Sequence, residues 1–146
     1  MKPLHLPVYL FTALLFISFT TMTPGNWETD IEKDGVEFSS ATIQHTTEGS
    51  GEIDEYVLHR ITNTNSYAVD VTWQKLIWYN NVCRNCNVDD NSSYTFTVSL
   101  APGETLEGSI SDSEYMLKTH SKRIKPESST ALTKYEFSDI TIKKTE

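Results

Sequence analysis

Two cysteines stand three residues apart in Cys83-Arg84-Asn85-Cys86, inside the stretch YNNVCRNCNVDDNSS. That spacing admits three chemistries. A thioredoxin-type redox centre sets its CxxC where a strand ends and a helix begins, so that the helix dipole lowers a thiol pKa. A structural zinc site needs four ligands. A covalent staple needs only a turn, because the first and fourth residues of a β-turn bring their Cα atoms within about 7 Å, which overlaps the roughly 4.4–6.8 Å that a disulfide accepts. The flanks favour the staple. Tyr79-Asn80-Asn81-Val82 and Asn87-Val88-Asp89-Asp90-Asn91 are turn formers with no helical period after them. Asp89 and Asp90 would raise a neighbouring thiol pKa rather than lower it. The chain has no further cysteine, and His45, His59 and His120 do not stand at ligand spacing from one another. A Cys83–Cys86 disulfide is therefore expected, with no metal. The loop it closes is so short that chain entropy makes it worth roughly 1.9 kcal/mol at most.

Other chemistry is thin. Asn85, Asn87, Asp89 and Asn91 alternate as calcium ligands do, yet the Gly and Glu of a calcium loop do not fall in place. A calcium ion on Asp89 and Asp90 remains an alternative to a plain solvated loop. Asn91-Ser92-Ser93 is an N-glycosylation sequon, meaningful in a eukaryotic host. No nucleophile-elbow, zinc-protease, P-loop or dinucleotide motif occurs. The acidic pairs Asp54-Glu55 and Asp89-Asp90 are adjacent, and neighbours on a strand face opposite sides, so neither makes an acid–base couple. The expectation is no catalytic residue and no cofactor. Aromatic residues offer the one hint of binding. Trp78-Tyr79 directly precedes the cysteine loop, and a solvent-facing ring beside a rigid polar turn suits a sugar or a protein partner. The candidate ligand-binding residues are Trp78, Tyr79, Arg84 and Asn85.

These residues need strands to hold them. Tyr94, Phe96, Val98 and Leu100 alternate with Thr95, Thr97 and Ser99, the pattern of a half-buried strand. Ala101-Pro102-Gly103-Glu104 then reads as a type II turn, with a second strand after it through Leu106, Gly108 and Ile110. Tyr56–Asn63 and Tyr67–Tyr79 are two further strands. In the latter, Val69, Val71 and Trp73 share one face, and a β-bulge at Gln74-Lys75 would bring Leu76 and Trp78 back to it. Val36–Thr46 is a first strand. Tyr135–Lys143 is a last one, with a bulge near Ser138-Asp139. Residues 111–133 give no clear reading beyond a short element at Tyr115-Met116-Leu117. Six to eight short strands and no amphipathic helix predict an all-β, two-layer antiparallel sandwich.

Ile61–Trp73, followed by Leu100-Ala101-Pro102-Gly103-Glu104-Thr105, resembles the middle of an immunoglobulin-like or fibronectin-III-like sandwich, and the chain is similar to small secreted bacterial β-sandwich proteins. The resemblance implies that Trp73 is the buried tryptophan of the third strand. It carries no functional residue over, because the antibody-type cysteines lie far apart and bridge the sheets.

The ends and the charge set the remaining expectations. Residues 1–24 read as a signal peptide: Lys2 precedes an apolar run from Val8 to Phe19, about 12 residues where a membrane span needs roughly 20. Residues 25–146 then form one domain, secreted or periplasmic, without stable membrane insertion; an uncleaved anchor is the alternative. Between 28 and 115 stand 16 acidic residues against four basic ones. Such a surface repels nucleic acid. A basic cluster at Lys118, Lys122, Arg123 and Lys125 is the exception. The sequence thus reads as a non-enzymatic binding module for an unknown protein or glycan. The alternatives are a carbohydrate-binding module using Trp78 or Tyr79 and a thiol–disulfide redox protein.

Overall fold

Alternating β-branched and aromatic residues build nine strands in the computed structural model, which describes residues 26–86, 92–112 and 115–145. The expected signal peptide, the Asp89/Asp90 loop and Asn91 fall outside the described residues. The strands are β1 (Glu28–Lys33), β2 (Val36–Thr46), β3 (Ile53–Asn63), β4 (Val69–Tyr79), β5 (Val82–Cys83), β6 (Thr95–Leu100), β7 (Thr105–Glu107), β8 (Lys118–Lys125) and β9 (Leu132–Lys144). They form two antiparallel sheets packed face to face. The first runs β1-β2-β3, with β7 and β8 sharing the far edge of β3; in the second, β9 flanks β4 on one side, and β5 and β6 on the other.

Nine strands exceed the six to eight expected. The additional ones are charge-rich or very short: β1 reads ETDIEK and β8 KTHSKRIK. Neither shows an apolar period, because charged and polar residues fill most of their positions. Asp34-Gly35, with φ of 48° and 72°, closes the β1–β2 hairpin as a two-residue turn of the type that asks for positive φ twice. Glu104 N–H does bond Ala101 C=O, and Gly103 has φ 72°, as a type II turn requires. That turn does not join a strand pair within one sheet. β6 pairs with β4 and β7 with β3, so the chain steps from one sheet to the other there.

The core fills the gap between the sheets. Val36, Phe38 and Ile61 meet Val69, Val71, Trp73, Leu100 and Phe137, all nearly inaccessible to solvent. Trp73 meets Phe38 edge-on, with ring centroids 5.7 Å apart. Asn63 lies buried where β3 leaves for β4, its amide donating to the Tyr67, Leu100 and Ala101 carbonyls.

The expected bulge at Ser138-Asp139 is present, as one of two register shifts between β4 and β9; the other lies at Trp78/Tyr79, where Trp78 pairs with Lys134 and Tyr79 with Leu132. Thr72 pairs with Thr141 and Gln74 with Ser138, so β9 holds the extra residue, at Asp139 with φ 50°. β4 itself does not slip at Gln74-Lys75. Its period of two continues, which corrects the sequence-based expectation in a consequential way. Lys75 and Ile77, opposite Phe137 and Tyr135, face the core; Leu76 and Trp78, opposite Glu136 and Lys134, face outward.

Candidate functional site

The hairpin at the end of β4 builds the site. Asn80 and Asn81 take φ of 50° and 64°. Asparagine tolerates that region better than most side chains, so the chain reverses in two residues. Trp78 then pairs with Cys83 and Tyr79 with Val82. Cys83 and Cys86 form the expected disulfide across Cα atoms 5.7 Å apart. Cys83 ends a strand rather than opening a helix, so the dipole that activates a redox cysteine is missing at this position.

Between the disulfide sulfurs' residues, Arg84 and Asn85 finish the sheet. β6 covers β4 only from Val69 to Gln74, and β5 covers only Trp78 and Tyr79. The interval is closed by the clasp. Arg84 N–H donates to the Ile77 carbonyl at 2.9 Å. The Asn85 amide donates to the Lys75 carbonyl at 2.7 Å, while Ile77 N–H donates to Asn85 Oδ1 at 3.0 Å. Asn85 is 1% exposed. Its side chain therefore substitutes for a strand residue and is not free to meet a ligand. Arg84 is exposed.

Tyr79 is likewise committed. It is half-buried, its hydroxyl donates to the His120 carbonyl of β8, and burial raises its pKa. It ties the two sheets. Trp78 alone of the two rings belongs to the outer face, where the Lys134 ammonium sits 4.4 Å from its centroid. Leu76 lies two residues before it on the same face. Val82, 56% exposed, stands at the hairpin tip. The outer face here thus carries Leu76 and Trp78, both half-buried, between the disulfide on one side and the Lys134–Glu136 ion pair on the other.

Beneath this face lies the residue the sequence reading passed over. Lys75 is 1% exposed. Its ammonium donates to the carbonyls of Tyr115, Met116 and Lys118 and to Thr119 Oγ1, the last two at 3.1 Å. No carboxylate is among these partners, and desolvation pulls its pKa down to about 7. Thr119 Oγ1 also meets His59 Nε2 at 2.9 Å. His59 is fully buried, and its other ring nitrogen has no partner. Burial, helped by the Lys75 charge, lowers its pKa to about 3, so the imidazole is neutral at pH 7. Amine, hydroxyl and imidazole in line make a proton relay in principle. With exposures of 1%, 4% and 0%, no substrate reaches them. The signal for Lys75 was present in the sequence: it continues the Val69-Val71-Trp73 phase by two.

The basic cluster of β8 is occupied by acids of β3 and its approach. Arg123 bonds Asp54 at 3.1 Å and Glu52 at 3.0 Å, His120 bonds Asp54 at 2.9 Å, and Lys122 stands 3.7 Å from Glu55. The His120 and Arg123 bonds hold the Asp54 carboxyl below its ordinary range. Lys118 turns away to the Ile110 and Asp112 carbonyls. Among the described residues no group of three His, Cys, Asp or Glu gathers at metal-binding distance, and no helix is long and apolar enough to cross a membrane. No family model, no curated protein and no solved structure matches the chain.

Proposed function

We propose that this chain is an exported, non-enzymatic binding module, and that it engages its partner through the outer face of the β4–β5 hairpin, centred on Trp78. The observation that carries the reading is the polarity of β4. Lys75 is turned inward, and Leu76 and Trp78 are turned outward. A tryptophan on a sheet's outer face adds nothing to the core, while aromatic anchors of this kind dominate protein interfaces. The clasp supports the same reading. The disulfide closes the turn that follows β5, and three hydrogen bonds tie that turn to β4, so little conformational freedom is lost on binding.

Export is part of the proposal, supported by the signal-like first 24 residues and by a disulfide, which persists in oxidising compartments. So is membership of the immunoglobulin-like sandwiches, supported by the burial of Trp73 between two antiparallel sheets. The partner is a protein or a glycan. A glycan array and an array of purified secreted and cell-surface proteins, probed in parallel with the labelled chain, test this. Binding on one of them, lost on Trp78→Ala with the fold retained, is the expected result. Binding that survives Trp78→Ala, or none on either array, would falsify the assignment.

A further inference from the structure

A side chain that replaces a strand residue must be held where the strand would run. Asn85 bonds the Lys75 carbonyl and the Ile77 N–H in the interval of β4 that β6 and β5 leave to the clasp, and it is 1% exposed. No strand of its own carries it there: β5 ends at Cys83, and Asn85 lies in the turn that follows. Beyond its own bonds and that of the Arg84 N–H to the Ile77 carbonyl, what fixes this turn is the bond between Cys83 and Cys86, which closes it across three positions. One end of that bond is anchored on the sheet, since Cys83 pairs with Trp78. Cys83 and Cys86 are both partly exposed and Arg84 is exposed, so a thiol in solution meets the turn from outside while Asn85 is sealed beneath.

We propose that Cys83–Cys86 is a redox latch: its reduction frees Asn85 from β4 and loosens the mount of Trp78. A dithiol reductant performs the step. Its thiolate attacks one cysteine sulfur and displaces the other; its second thiol then breaks the mixed disulfide. Two electrons and two protons thus pass to Cys83 and Cys86, and the reductant leaves as a disulfide. Cleavage returns conformational freedom to the turn, and for so short a loop the chain-entropy relation shifts the balance between held and released turn by about twentyfold. Release takes Asn85 from the Lys75 carbonyl and the Ile77 N–H, while Val69–Gln74 keep their pairing with β6 and the core keeps its packing. Re-oxidation restores the clasp, so the device is reversible. Its bearing on binding rests on the assignment of Trp78 as the anchor. Trp78 follows Ile77 and pairs with Cys83, so freedom at the clasp becomes freedom at the anchor, and ordering it again costs affinity.

Amide hydrogen exchange by NMR on the full chain, oxidised and then reduced with dithiothreitol, tests the latch. The expected result is an Ile77 N–H that exchanges about twentyfold faster after reduction, with an acceleration insensitive to dilute urea, as local opening is. Val71, buried in the middle of β4, is the reference: its exchange follows unfolding of the whole domain and rises with urea in both forms. In oxidised Asn85→Ala the Ile77 N–H already exchanges fast, and reduction adds little. An Ile77 rate unchanged by reduction overturns the latch. So does an acceleration with the urea dependence of Val71, since the disulfide then supports the whole fold, and so does an Ile77 N–H still protected in Asn85→Ala. On the two arrays, the reduced chain should bind its Trp78-dependent target more weakly than the oxidised one; equal binding with Ile77 released overturns the coupling to the anchor. If no binding depends on Trp78, the assigned function fails, and Ile77 exchange still decides the latch.

Discussion

The two halves of β4 follow one backbone rule and opposite chemical ones. From Val69 to Trp73, alternation puts valine, valine and tryptophan inside and Asp70 and Thr72 outside. From Lys75 to Tyr79 the same alternation puts an ammonium inside and Leu76 and Trp78 outside. Pleat geometry decides which side a residue faces; hydropathy decides only whether that side suits it. In the first half the two agree. In the second they conflict, and the protein meets the conflict by caging the ammonium in four oxygens. Local conflicts of this sort tend to mark functional ground. The first half supplies the apolar core, and the second combines sheet-tying groups, Lys75 and Tyr79, with the outer face to which we assign binding.

The sharpest separation comes from equivalent truncations in the two halves. Trp73→Ala deletes the largest fully buried side chain, which touches Phe38 and Phe96. It should lower stability by about 3–5 kcal/mol, measured by urea unfolding. A loss under 1 kcal/mol would mean that the core is not organised around this ring.

Lys75→Met comes next. The substitution removes a buried charge, which favours folding, but leaves the Tyr115, Met116 and Lys118 carbonyls short of a donor, each costing about 1–3 kcal/mol if it stays dry. A net loss of about 1–3 kcal/mol at pH 7 is expected. The pH dependence is the more telling readout. The folded pKa of Lys75, about 7, lies below that of an unfolded lysine, near 10.4. Between those values the unfolded chain binds more protons, so stability rises with pH from about 7 toward 10. Lys75→Met should flatten that rise. It should leave most of the acid limb, because the low folded pKa of His59, about 3, is due chiefly to burial and only secondarily to the Lys75 charge, and the unfolded chain takes up the His59 proton as pH falls below about 6.5. An unchanged alkaline slope would show that Lys75 is solvated.

How much of this was legible follows the same divide. Val69–Trp73, Tyr94–Leu100 and the Pro102-Gly103 turn were readable because propensity, period and burial coincide there. The Cys83–Cys86 disulfide was readable from its turn-forming flanks. Lys75 was readable by period and unreadable by hydropathy, and preferring hydropathy led to a bulge that β4 does not contain. Asn85 looked like a solvent-facing turn residue, since nothing local says that its amide will sit between the Lys75 carbonyl and the Ile77 N–H. That role depends on a gap between β5 and β6, which only the assembled sheet creates. β1 and β8 stayed hidden because these two strands are dominated by charged residues with no apolar period to detect.

Trp78→Ala carries the smallest expected stability effect and the most weight for the comparison. Trp78 lies on the outer face, its ring meeting Lys134 at 4.4 Å and its cross-strand neighbour being Cys83. Trp78 is half-buried and is not among the residues packed on the core, and a cation–π contact with a solvated cation is worth about 0.5–1 kcal/mol. The expected loss is therefore under about 1 kcal/mol, a small fraction of the loss at Trp73. Two tryptophans five positions apart on one strand would then differ severalfold in what they contribute to the fold. If Trp78→Ala instead matched Trp73→Ala, the outer face would be a second core, and the binding role assigned to it would lose its basis. A small stability loss together with lost binding is the one combination that places the fold in the first half of β4 and the partner on the second.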